Sequence, residues 1–110
     1  MRSDRERLLD ILDAIASIER NVRSRDFLDD EVGAAAATRW LEVIGEAASY
    51  VSSELREGHR DVAWRGPIDM RNRLIHGYFD ITPDRLWETI VQDLPVLKAQ
   101  VQAMVEELPG

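Results

Sequence analysis

Apolar residues recur along this chain at steps of three and four, the period of a helix with one covered face. Leu8, Ile11, Ile15, Ile18 and Val22 form the first such stripe, and Ser3-Asp4-Arg5-Glu6 ahead of it has the serine-to-glutamate spacing of a capping box. One amphipathic helix follows. A second begins near Asp29-Asp30-Glu31, whose charges suit a helix N-terminus. It carries Ala37, Leu41, Ile44, Ala48, Val51 and Leu55 in alternating steps of four and three, the seam of a helix bundle. Trp40, Val43 and Ala47 widen that seam, so this helix is expected to be covered on two sides, with self-association as one source of the second cover.

Gly58 closes the second pattern, and His59 to Gly66 reads as a connecting loop pinned by Val62 and Trp64. Pro67 fits the first turn of a short third helix that Gly77 would terminate. Thr82-Pro83 is an N-cap and first-turn pair. It opens a last stretch with Leu86, Ile90, Leu94, Leu97, Val101, Met104 and Leu108 on one side, and Pro95 should kink that stretch or split it in two. Repeats, low-complexity linkers and strand-like alternation are missing from the pattern. The expected fold is all-α: a single domain over residues 1–110, an up-and-down bundle of four main helices plus one short extra helix.

At 110 residues the chain suits one domain of ordinary size, and a deep cleft would call for a second subunit. Cysteine is absent and the two histidines, His59 and His76, lie too far apart to form a helical metal pair, so no metal or other cofactor is expected. No segment has the roughly 18 apolar residues a membrane helix needs, which leads to the expectation of a soluble, cytoplasmic protein. The formal charge of −7 argues against a general nucleic-acid coat. Its distribution is uneven, however: residues 56–78 hold five Lys+Arg against three Asp+Glu, while the flanking segments are acidic.

That basic segment contains the densest chemistry of the chain, Arg71-Asn72-Arg73-Leu74-Ile75-His76-Gly77-Tyr78. On an ideal helix Arg71 and His76 lie roughly 140° apart, whereas Asn72 and His76 share a face. Either the helix unwinds at His76, or two copies of the motif meet across a two-fold axis and line one cleft. A histidine that titrates near neutrality, beside a permanently charged guanidinium fork, supplies the parts of a metal-free ribonuclease. His76 would move the proton of a 2′-hydroxyl or of the leaving 5′-oxygen, Arg71 would stabilise charge on phosphorus, and Asn72 would orient one of them. Arg73 and Arg65 are further candidates for phosphate contact. The same residues also have a plainer reading, since a histidine in the last helical turn can serve the terminal carbonyls, and a tyrosine such as Tyr78 after a helix-ending glycine commonly packs its ring. Glu42 and Glu46, one turn apart, read as a solvated face, because no Glu-x-x-His accompanies them.

The string Met70 to Asp80 resembles the signature of the HepT-like branch of the HEPN superfamily: Arg, four residues, His, any residue, Tyr. Trp40-Leu41-Glu42-Val43-Ile44-Gly45-Glu46-Ala47 is similar to that family's central-helix segment, His59 to Trp64 to its His-x-Asp-Val-x-Trp loop, and Asp93-Leu94-Pro95 to its late kink. Arg60 and Ala63 stand where family members often carry prolines. The resemblance implies a homodimeric, metal-independent endoribonuclease toxin of a two-gene, type VII-like toxin–antitoxin system, with its site at the dimer cleft. Arg71 and His76 match the catalytic pair and Asn72 the polar residue after the arginine. Tyr78 matches the tyrosine that a nucleotidyltransferase antitoxin modifies with AMP, and the added phosphates would bring negative charge to the site. The other reading is a non-catalytic helical module that binds nucleotide or docks a nucleotidyltransferase.

Overall fold

In the computed structural model, which describes residues 2–76 and 81–109, every regular element is helical. Helix α1 spans Asp4–Asn21, and its N-terminus is the expected capping box: Ser3 accepts from the Glu6 N–H while the Glu6 carboxylate accepts from the Ser3 N–H. Leu8, Ile11, Ile15, Ile18 and Val22 are all buried. At roughly 1.5–3 kcal/mol for a fully buried Leu or Ile, this stripe outweighs the cap as the source of the helix's stability.

A 3₁₀ turn at Arg25–Leu28, not foreseen in the pattern, leads to α2, Glu31–Tyr50, which Asp30 caps by accepting from the Gly33 N–H. Ala37, Leu41, Ile44, Ala47 and Ala48 are buried, and Trp40 and Val43 pack half-buried against the same core. The broad stripe of α2 is covered within the chain itself, by α1 on one side and by α4, Arg65–Ile75, on the other. Self-association is therefore not needed to explain it.

The second helix is also shorter than expected. Val51 turns extended at φ −63° and ψ 137°, and Ser52 caps a separate helix, α3, Ser53–Gly58. The cause lies far along the chain: the Asp4 carboxylate accepts from both the Ser52 N–H at 2.8 Å and the Ser52 hydroxyl at 2.6 Å, holding the break open. The loop to α4 is pinned as expected by buried Val62 and Trp64, whose indole N–H donates to the His59 carbonyl at 3.0 Å.

Helix α5, Pro83–Glu88, starts on a Thr82 cap with proline in its first turn. The last stretch is not split at Pro95: helical backbone runs on from α5 through a π-helical turn at Thr89–Asp93 into α6, Leu94–Glu107. Pro95 has no N–H for a ladder bond, and the Leu94 N–H reaches back five residues to the Thr89 carbonyl. Leu94, Leu97, Val101 and Met104 complete the core against α1.

Candidate functional site

Helix α4 carries the candidate residues and is seated on a glycine. A Cβ at Gly45 of α2 would collide with the Arg71 Cβ and the Pro67 carbonyl, so the backbone of α4 lies directly on α2 at that point. The close approach fixes where the Arg71 side chain leaves its helix. Arg71 is half-buried, and its Nη1 donates to the Asn72 Oδ1 at 2.9 Å. The two neighbouring side chains are joined, and the arginine is aimed by the asparagine.

His76 is the C-cap of α4, at φ −86° and ψ 2°, and its N–H still donates to the Asn72 carbonyl at 3.2 Å. Helical backbone thus runs without a break from Arg65 to Ile75, so the helix does not unwind ahead of the histidine. The roughly 140° between Arg71 and His76 stands. Asn72 lies one turn before His76, and its side chain accepts from Arg71. His76 and Arg73 are exposed.

Arg65 is not brought to this cluster. It is the first residue of α4, eleven positions before His76 and about 16 Å away along the axis, and it pairs with Asp69 at 3.7 Å. Gly77 and Tyr78, the expected helix terminator and the tyrosine of the motif, lie outside the described residues. The other histidine has a structural role. His59 Nδ1–H donates to the Leu55 carbonyl at 3.1 Å and Nε2 meets the Glu107 carboxylate at 3.2 Å, tying the end of α3 to the end of α6. The Leu55 carbonyl first and the Glu107 carboxylate second hold its pKa above the ordinary 6.5.

Among the described residues no group of three or more His, Cys, Asp or Glu side chains is placed to hold a metal ion. None of the described helices is long and apolar enough to cross a membrane. Sequence reasoning missed Gly45, which resembles an ordinary weak point of a helix interior until its partner helix is seen.

The fold is an all-helical domain, and comparisons with known proteins place it in a family. Residues 8–104 match the family model described as "Ribonuclease HepT-like". The chain belongs to this HepT-like ribonuclease family. It is 37% identical over 106 residues to "Probable ribonuclease HepT" of Thermococcus cleftensis, covering 94% of this chain and 96% of that one. It is 38% identical over 88 residues to "Putative RNase TTE0752" of Caldanaerobacter subterraneus subsp. tengcongensis, covering 80% and 79% respectively. No solved structure gives a significant match.

Proposed function

We propose that the protein is a metal-independent endoribonuclease, the toxin of a type VII-like toxin–antitoxin pair, acting as a homodimer with its site at the subunit cleft. The observation that carries this reading is the Arg71–Asn72 hydrogen bond at the helix end that presents His76, in a chain of a ribonuclease family. His76 takes the proton of an RNA 2′-hydroxyl or protonates the leaving 5′-oxygen. The 2′-oxygen attacks the adjacent phosphorus, the 5′-oxygen leaves, and the product is a 2′,3′-cyclic phosphate. Arg71, oriented by Asn72, stabilises the charge that develops on the phosphoryl oxygens, and Arg73 adds a further guanidinium at the same helix end.

The same geometry supports the dimer reading. Because α4 stays helical up to His76, one chain aims Arg71 and His76 apart, and a two-fold axis beside the motif lets each arginine face the other chain's histidine. Tyr78, two residues beyond His76, is the proposed acceptor of AMP from a nucleotidyltransferase antitoxin, which would silence the site by charge and bulk. The species that cleaves RNA should have a dimer mass by light scattering at micromolar concentration. A monomer with full activity would remove the composite site.

A further inference from the structure

The start of α4 borders a second feature with the chemistry of the substrate. An open hollow of about 390 Å³ lies between α3 and the loop leading into α4. Three arginines line it, Arg56, Arg60 and Arg65, against a single acidic lining residue, Glu57. Arg56 and Arg60 form no ion pair among the described residues, and the buried Nε of Arg56 has no hydrogen-bond partner there. Among the described residues Arg65 pairs with Asp69 alone, at 3.7 Å and with both side chains mostly in solvent, a pairing of small energetic value. On a protein of net charge −7, such a concentration of weakly compensated guanidinium groups points to an anionic ligand.

The hollow is in line with the candidate site. By the helical repeat, Arg65, Asn72 and His76 fall within about 40° of one another around α4, so one face of the helix runs from the hollow to the histidine. The distance is about 16 Å along the axis. At one phosphate per roughly 3.4 Å of a stacked strand, that is about five nucleotides. Asp69 lies on the same face between them, and a phosphate arriving at Arg65 would replace it as partner.

We infer that the Arg56–Arg60–Arg65 hollow is a distal subsite for the phosphate backbone of single-stranded RNA, holding the strand about five nucleotides from the bond cut beside His76. This inference rests on the RNA-cleaving reading. The contact is to backbone and not to base: Trp64, the aromatic residue lining the hollow, is buried and commits its indole N–H to the His59 carbonyl. It offers no stacking surface. The subsite therefore adds affinity and chain-length preference without sequence preference.

The test uses the full chain with exposed Arg60 and Arg65 reversed together, Arg60→Glu with Arg65→Glu, in both the active protein and the His76→Ala background. Binding and cleavage are measured with single-stranded RNAs of twelve and of four nucleotides over a salt series. The double reversal should weaken twelve-nucleotide binding by about tenfold or more and flatten the dependence of log Kd on log salt by about 1.4 for two lost phosphate contacts. In the active protein KM should rise and kcat hold, and the four-nucleotide RNA should bind and react as before. A wild-type protein that cleaves RNA while the double variant binds both lengths normally would overturn the subsite alone. A wild-type protein that neither binds nor cleaves either RNA would overturn the ribonuclease reading and the subsite with it.

Discussion

In α1 a capping box starts the helix and five residues, Leu8, Ile11, Ala14, Ile15 and Ile18, are buried along it. In α4 the N-cap residue Trp64 makes no side-chain cap bond, and Met70 is the buried residue. The first helix is specified by its own sequence. The second is placed by others: by Gly45, on which its backbone rests, and by the Val62–Trp64 loop that delivers it. Helix α4 carries the proposed site residues Arg71, Asn72, Arg73 and His76, and it is held by buried Met70, by Ile68 and Leu74 packed half-buried against the core, and by its close backbone contact at Gly45. On the proposed function, α1 serves stability and α4 carries the site.

This division predicts unequal consequences for changes on the two sides. The largest is expected in α1: Ile11→Ala should cost about 2–5 kcal/mol by emptying a fully buried site, measured by denaturant unfolding. Specific activity of the folded fraction should be retained. A smaller change should do the opposite kind of damage. Gly45→Ala puts a methyl group into the Arg71 Cβ and the Pro67 carbonyl, and the neighbour is backbone that can yield only by shifting α4. Overpacking of this kind costs about 1–3 kcal/mol, yet RNA cleavage should fall far more than unfolding accounts for, because Arg71 is displaced. Wild-type activity in Gly45→Ala would show that the seat does not position the site.

The smallest effect concerns the tie outside both helices. His59 is held above its ordinary pKa by the Leu55 carbonyl and the Glu107 carboxylate, so its protonated form favours the folded state. That contribution is full below about pH 6.5 and is lost as pH rises through the higher folded value. Thermal melts of wild type and His59→Gln should differ most at pH 6 and converge toward pH 9. Equal differences at both ends would mean that the imidazole charge contributes nothing.

Much of this fold was legible in the sequence because its signals are local. The Ser3–Glu6 box, the stripes of α1, α2 and α6, the start of α2 near Asp30, the Thr82 cap and the irregularity ahead of Pro95 each depend on residues a few positions apart. The break at Val51 was not legible, since Val51 fits the apolar stripe and the bonds that hold the break run from Ser52 to Asp4, 48 residues apart. The 3₁₀ turn is similar: Arg25 pairs with nearby Asp29 but also with Asp84, brought in by the fold. At the site the Arg71–His76 spacing could be read directly, and so could the problem it poses for a straight helix. The Gly45 seat and the gathering of Arg56, Arg60 and Arg65 could not, because both require two elements to be placed side by side.

The most direct test is incubation of purified protein with labelled RNA in excess EDTA, beside His76→Ala shown by circular dichroism to be folded and with Tyr78 confirmed unmodified by mass spectrometry. Cleavage with 2′,3′-cyclic phosphate ends is expected from the wild type and none from the variant. Equal cleavage by both would contradict the role of His76. Cleavage by neither would contradict the metal-independent ribonuclease reading.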